Sequence, residues 1–379
     1  MIYLDNAATS YQKPTEFYRA MDKGVRKFSV NTGRGGHYFS VIGADRVSET
    51  GEKLAELFGA DNPERIAFSY NATMSLNQAI GGILKKGGHA VVTQMEHNSV
   101  LRPVHAYGNY TMAAADEKGF VNAENVRSAM REDTKLVVCT HVSNVCGSVQ
   151  PIKEIADAAH EGGAVFLLDA AQSAGCKTID VEEMGIDMLA FSAHKGLLGP
   201  MGVGGLYVKE GIELEPVILG GTGTKSQSLE QPSEMPGMLQ SGTINTPAIA
   251  ALGASLDYIK KVTPEAIAEK QTELAYLLIE KLLNIKGVTV YGECERCRGK
   301  RNGTVLFNID KLESGTVGEI LNDEYKIAVR SGWHCAYYAH EALGSQKCGG
   351  VRASFGAFSK KSEAEKLAAA VNEIVKKYK

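Results

Sequence analysis

Short apolar runs alternate with amphipathic stretches over the first half of the chain. RIAFSY (65–70), HAVVTQ (89–94), KLVVCTHV (135–142), AVFLLDA (164–170), MLAFSA (188–193) and GGLYVK (204–209) read as strands. Several are apolar at consecutive positions, hence on both faces, as a parallel sheet covered on both sides requires. Between them, Ser75–Lys85 and Pro151–His160 repeat apolar residues at helical spacing. Strand–helix alternation of this kind predicts an α/β sheet with crossover helices. The rhythm changes at 211–247, which is rich in Gly, Ser, Thr and Pro and reads as loop. A helical pattern then runs from Pro247 to about Ile285, with TPEA (263–266) marking a stop and restart. TVLFNI (304–309) and KIAVRSG (326–332) predict strands of a smaller α+β unit, and SEAEKLAAAVNEIVKKYK an amphipathic closing helix. The predicted organisation is a large α/β domain over 13–245 and a small α+β domain over 246–379.

Composition narrows the classes. A chain of 379 residues is long enough for two domains, and 44% hydrophobic with 22% charged residues is ordinary for a globular protein. A net charge of −3 creates no field that would attract nucleic acid or an anionic membrane. No apolar run approaches the roughly 18 residues of a spanning helix. MIYLDNAATS lacks the basic and apolar regions of a signal peptide, so the fold is expected to begin there. Seven cysteines, at 139, 146, 176, 294, 297, 335 and 348, form an odd and scattered set. That usage predicts reduced thiols and a cytoplasmic location. Cys294 and Cys297 make a lone C-x-x-C in ECERCRGKR; structural zinc needs two more ligands, and no second pair has suitable spacing. No metal site is expected, and the segment reads as a basic surface loop.

Chemistry concentrates just past the predicted strands. In FSAHKGLLGPMGVGGLYV (191–208), Lys195 follows a strand and is bracketed by Ser192, His194 and Gly196. Ligands of open α/β sheets bind at that carboxyl edge, and a lysine there with a lowered pKa can form a Schiff base. Taken alone, K-G after a strand is more often a solvated lysine in a loop. Asp169, in LLDAAQSAG (167–175), ends a very apolar strand, where a carboxylate is costly without a positive partner. A protonated pyridine nitrogen is such a partner, and pyridoxal phosphate enzymes use an aspartate in this role. Successive strands carry Asp169 and Lys195, so both face one crevice. SYNATMSLNQAI (69–80) reads as strand, turn and helix; the helix start with Thr73 and Ser75 predicts a phosphate cradle, and equally an ordinary N-cap. QMEHNSV (94–100) supplies His97, able to stack on a ring and move protons, although a lone histidine is more often structural. THVSNVCG (140–147) supplies Asn144, an uncharged donor suited to a ring oxygen. Cys335, in RSGWHCA (330–336), reads by itself as a filler, a ligand or a nucleophile.

The order YLDNAAT, NAT-x-x-LN, QMEHNS, THVSNVCG, LLDAAQ, FSAHKGLLGP, SGTINT, RSGWHCA and GVRASFG resembles the class V aminotransferase family. Within it, the chain resembles the cysteine desulfurases in their short Cys-loop form, group II, from residue 2 to about 360. The resemblance implies an α/β fold type I transferase: a large domain with a mainly parallel seven-stranded sheet between helices, plus a smaller α+β domain. Residues 1–12 would associate with the small domain or the active site. Lys195 would carry pyridoxal 5'-phosphate, Asp169 would pair with its ring nitrogen, and His97 would lie over the ring. Gln172 would reach the ring oxygen with Asn144 nearby, and Thr73, Ser192 and His194 would hold the phosphate. Thr243 would reach the phosphate of a second subunit, which implies a homodimer. Arg352 would clamp the substrate carboxylate bidentately, with Asn6, Ala7 and Asn144 lining the same pocket.

By the same resemblance the substrate is L-cysteine and the products are L-alanine and a persulfide on Cys335. The attacking species would be the thiolate, with Arg330 and His334 both able to favour the charged form. The sulfur would pass to an acceptor protein, for iron–sulfur clusters or other thio-cofactors. Three alternatives stay open: a selenocysteine lyase acting on L-selenocysteine, another class V activity in which Cys335 is idle, and a non-catalytic scaffold in sulfur transfer. Trp333 stands where desulfurases often carry histidine, 221–241 is compact for group II, and ECERCRGKR has no counterpart there.

Overall fold

The computed structural model describes residues 1–32, 36–292 and 300–378. The chain opens on a short strand, β1 (Ile2–Tyr3), and two helices, α1 (Thr15–Lys27) and α2 (Tyr38–Phe58). There follow β2 (Ile66–Ser69), α3 (Ala72–Leu84), β3 (His89–Thr93), α4 (Asn98–Tyr107), β4 (Asn109–Ala113), α5 (Ala123–Ala129) and β5 (Thr134–Thr140). Next come α6 (Ile152–Glu161), β6 (Val165–Asp169), β7 (Met188–Ser192) and β8 (Gly204–Val208). Strands β2 to β8 form one seven-stranded sheet in the order β2-β8-β7-β6-β5-β3-β4. Neighbours from β4 to β7 run parallel, while β8 is antiparallel to both β7 and β2.

Strands β3 and β7 are buried at every position, which is why their consecutive central residues are apolar on both faces, with the polar His89, Thr93 and Ser192 only at strand ends. Within this sheet the pattern missed one strand, and outside it β1 (Ile2–Tyr3) and two strands of the smaller sheet, Val288–Tyr291 and Gly350–Ser354. Four of the five residues of β4, NYTMA, are partly or fully exposed at the edge of the sheet, so no apolar run was required of them. Register places Thr140 opposite Asp169 and Asp169 opposite Ala190. The carboxyl ends of β5, β6 and β7 therefore converge at the middle of the sheet, where the candidate residues lie.

The chain continues with α7 (Thr246–Val262) and then the second unit: α8 (Pro264–Leu283), β9 (Val288–Tyr291), β10 (Thr304–Ile309), α9 (Ser314–Asp323), β11 (Ile327–Ala328) and β12 (Arg330–Gly332). It closes with α10 (Tyr337–Ala342), β13 (Gly350–Ser354) and α11 (Lys361–Lys377). An antiparallel sheet, β12-β13-β10-β9, packs on α8 and α11 through Leu278, Val305, Phe307, Val351, Leu367 and Val371. The helix break falls at Thr263, whose hydroxyl caps α8 by accepting from the Ala266 N–H. Helix α7, placed by the sequence reading with the small unit, packs instead on α1 and α2. Its Ala248, Ile249, Leu252, Leu256 and Ile259 belong to the core under the large sheet.

The first residues cross over to this second unit. Strand β1 pairs in parallel with β11, and Leu4 is buried in the smaller core. No helix among the described residues is long and apolar enough to cross a membrane. Cys294 and Cys297 lie outside the described residues, among which no group of three metal-ligating side chains forms.

Candidate active site

Strand β2 delivers the chain to a tight turn ahead of α3. Asn71 caps that helix, its Oδ1 accepting from the Met74 N–H at 2.9 Å. Thr73, in the first turn, shares a hydrogen bond with Ser99 Oγ at 2.8 Å. Ser75 turns the other way: it is fully buried and bonds to Ser69 Oγ at 2.7 Å, so of the two hydroxyls expected in the cradle only Thr73 faces the pocket. Gly204 on β8 packs against this turn so closely that a Cβ would lie 2.7 Å from the Asn71 backbone.

Lys195, Asp169 and His97 line one pocket, with Thr73, Ser192 and His194 at its α3 end and Gln172 and Asn144 on its wall. Burial pulls the Lys195 amine down to about 8; Asp169 opposes this, while Arg352 and Arg330 add to it. Asp169 is buried and accepts one N–H, from Ala171 at 2.9 Å. Burial holds its carboxyl above the ordinary aspartate range despite that bond and Lys195. His97 accepts from the Ser99 N–H at its Nδ1 (3.0 Å), so in the neutral ring the proton sits on Nε2. Burial, then Lys195 and three arginines, push this imidazole down to about 4.

The N-terminal segment braces the lysine from behind. The carbonyl of His194 accepts from Ser10 N (3.0 Å), Thr9 Oγ1 (3.2 Å) and Lys13 Nζ (2.9 Å). Ser10 Oγ donates to the Lys195 carbonyl at 2.7 Å. Gln172 Nε2 donates to Ala7 O at 2.9 Å, joining this segment to the pocket wall. Asn6 Nδ2 donates to Ser354 O at 3.0 Å, at the end of β13.

Arg352 stands on β13, buried, with Nη2 on Asp5 Oδ1 at 2.7 Å and Nη1 on the Asn144 carbonyl at 2.9 Å. Its buried Nε has no partner among the described residues. Cys335 is exposed on the loop between β12 and α10. Two bonds hold that loop to the large unit: the Asn98 N–H donates to Cys335 O at 2.8 Å, and Asn144 Nδ2, on the pocket wall, donates to His334 O at 2.7 Å. Within the loop's own segment, Arg330 Nη2 lies 3.7 Å from Cys335 Sγ. His334 and Cys335 both have positive φ, 52° and 57°. Each such non-glycine residue costs roughly 1–2 kcal/mol, which the surrounding bonds must offset. His334 does not serve as the cation beside the thiol that the sequence suggested. Its imidazole is buried away from solvent, and burial, with Arg352 next, holds its pKa far below the usual range. Thr243 is the candidate residue the fold sets apart, exposed beside a separate surface cavity with Thr32, Gly221 and Thr222.

A family model described as Aminotransferase class-V matches residues 2–367. The chain belongs to the class-V aminotransferase family. Among class-V relatives, a probable cysteine desulfurase of Methanothermobacter thermautotrophicus is 35% identical, covering 98% of this chain and 94% of that one. A cysteine desulfurase of Haloferax volcanii is 31% identical, over 98% and 89%. The apo structure of a cysteine desulfurase from Thermococcus onnurineus superposes with a TM-score of 0.92 at 33% identity, covering 99% of this chain and 95% of that one.

In this class-V chain the pocket suits a ligand anionic at one end and cationic at the other. The α3 N-terminus with Thr73, and His194, whose buried Nδ1 has no partner among the described residues, face the anionic end. Asp169, a buried carboxyl bonded to one amide, calls for a cation at the other. Two participants were not singled out from sequence. Asp5 stands in the quoted YLDNAAT and pairs with Arg352; Glu96 stands in QMEHNS and is wholly buried behind the pocket. An acid inside an otherwise apolar or polar-neutral motif was the available signal for both.

Proposed function

We propose that the chain is a pyridoxal phosphate-dependent cysteine desulfurase that converts L-cysteine to L-alanine and takes the sulfur as a persulfide on Cys335. One observation carries the reading: an exposed thiol sits on a strained loop bonded to the wall of the lysine pocket through Asn144, and to Asn98 next to His97. The relatives that cover nearly the whole chain carry the same named activity.

The residues fit the cofactor. Lys195 would hold its aldehyde carbon, Asp169 its ring nitrogen, His97 its ring face, and Thr73, Ser192 and His194 its phosphate. Gln172 and Asn144 stand on the ring-oxygen side. When bound, pyridoxal phosphate withdraws electrons from the substrate Cα and so exposes the substrate sulfur to attack. The amine of Lys195, held near 8, is suited to taking and returning the Cα proton. His97, neutral with Nδ1 occupied, has Nε2 as the atom that carries a proton. Arg352, with Nε unengaged, meets the substrate carboxylate, and Asp5 and the Asn144 carbonyl fix the plane of the guanidinium. Asn6 and Ala7 form the neighbouring backbone. Cys335 Sγ attacks the substrate sulfur: an S–S bond forms as the C–S bond breaks, and the electron pair left on carbon is protonated to give alanine.

The homodimer is part of the same reading. Thr243 lies beside a surface cavity, where a second subunit's phosphate end would be met. The start of α2 exposes Tyr38 (72%), Phe39 (57%) and Val41 (52%), an apolar face that a second copy would cover. Buried free thiols at Cys139, Cys146 and Cys176 support a reducing, cytoplasmic setting.

The test is to incubate the cofactor-loaded protein with L-cysteine, quantify alanine, and map the added sulfur by mass spectrometry. Lys195→Ala is expected to abolish turnover and the yellow colour. Cys335→Ser is expected to stay yellow while sulfur release falls by roughly 100-fold or more. Parental turnover of L-cysteine by Cys335→Ser would sink the assignment of the nucleophile, and turnover of selenocysteine alone would identify a selenocysteine lyase.

A further inference from the structure

Behind the Cys335 loop lies a file of three buried polar side chains. His334, His340 and Ser345 are 3%, 0% and 3% exposed. Ser345 Oγ is 2.8 Å from His340 Nδ1, His340 Nε2 is 3.1 Å from His334 Nδ1, and His334 Nε2 is 3.2 Å from the Arg330 carbonyl. The two imidazole planes are 14° from parallel with centroids 5.3 Å apart, the edge-to-edge arrangement that an in-plane N–H···N bond requires.

Hydrogen-bond chemistry fixes the direction of this file. A carbonyl only accepts, so His334 Nε2 must carry the proton. In the neutral ring His334 Nδ1 then accepts, so His340 Nε2 donates. His340 Nδ1 in turn accepts, and the Ser345 hydroxyl donates to it. Each ring nitrogen is thus satisfied in a single arrangement, and burial keeps both rings neutral, His340 at about 4.

One end of the file matters for the thiol. Its final acceptor is the carbonyl of Arg330, whose side chain reaches Cys335 Sγ. Its last side chain, His334, directly precedes Cys335 and shares its left-handed backbone. The Asn144 side chain and the Asn98 N–H donate to the two carbonyls of this dipeptide, and the imidazole file holds the His334 ring.

We propose that the Ser345–His340–His334 file holds the Cys335 loop in its strained, thiol-presenting form, with His340 and Ser345 as positioning residues for the nucleophile. This inference rests on the reading of Cys335 as the sulfur acceptor. His340→Phe keeps a planar aromatic ring but removes both hydrogen bonds; His340→Gln restores an amide N–H toward His334; Ser345→Ala removes only the hydroxyl.

Hydrogen exchange of the peptide spanning 333–337 is measured on the cofactor-loaded protein, together with kcat and KM for L-cysteine. In His340→Phe, exchange is expected to accelerate roughly tenfold or more. Its kcat is expected to fall roughly tenfold while KM stays within about twofold, because Arg352 is untouched. His340→Gln is expected to recover most of both, and Ser345→Ala to show the same pattern at smaller amplitude. Should His340→Phe fail to fold, Ser345→Ala decides. Parental exchange and kcat in the variants would overturn the inference. So would losses that His340→Gln does not recover, since those would mark a requirement for the imidazole itself. Cys335→Ser separates the two failures: if it is inactive while the His340 and Ser345 variants behave as wild type, the nucleophile stands and the file does not position it.

Discussion

Glu96 puts a carboxyl where no cation among the described residues meets it. Its Oε1 accepts from the Thr93 hydroxyl at 2.5 Å and the Thr140 N–H at 2.7 Å, and its buried Oε2 has no partner among the described residues. Burial pushes its pKa up to about 8; the Thr93 bond resists this and the Asp169 charge adds to it. A raised folded-state value means the protonated form is favoured by folding. That stability is fully present below the ordinary value of 4.5 and is lost as pH rises through about 8. Glu96→Gln keeps the shape and removes the titration. The variant is therefore expected to gain on the parent between those limits, by on the order of 1.4 kcal/mol per pH unit. Urea midpoints of both proteins across that range measure it, and a gap constant with pH would mean that Glu96 is ionised throughout. Lys195 and Asp169 were legible because strand ends advertise them. Asp5, Glu96 and His340 were not, because each matters only through a partner that folding supplies: Arg352, Thr140 and His334.

At the scale of elements, the sheet was legible wherever both faces are covered. β7 is apolar at all but its last residue and β3 at its three central ones, while the exposed edge strand β4 carries no such mark. Helix α7 was legible as a helix, but its allegiance was not, since a buried stripe does not say which core it enters. The turn before α3 shows how elements set the site. Gly204 on β8 lies where a Cβ would meet the Asn71 backbone and the Phe191 carbonyl, both at 2.7 Å, and neither is a side-chain end that could swing aside. Gly204→Ala is expected to push the turn off its seat, destabilising the protein by roughly 1–3 kcal/mol. Cofactor affinity should fall with it, by about tenfold or more, as the α3 amides lose their aim. Fluorescence titration with pyridoxal phosphate reads the second effect, and unchanged affinity would remove this turn from the binding end of the pocket.

For the whole molecule, assembly carries the first expectation. The cofactor-loaded protein should sediment as a pair of chains. Phe39→Asp, which sets a charge in the exposed apolar face of α2, should shift it toward single chains with lower activity, because Thr243 would then face solvent instead of a second site. A parental sedimentation coefficient in that variant would place the dimer contact elsewhere.

The crossover of residues 2–5 makes the two units answerable to each other. Strand β1 pairs with β11 and Leu4 is buried in the smaller core, while Thr9, Ser10 and Lys13, a few residues further on, brace the carbonyls of His194 and Lys195. A change that loosens β11 therefore reaches the peptide of the reactive amine through its tether, without touching any wall of the pocket.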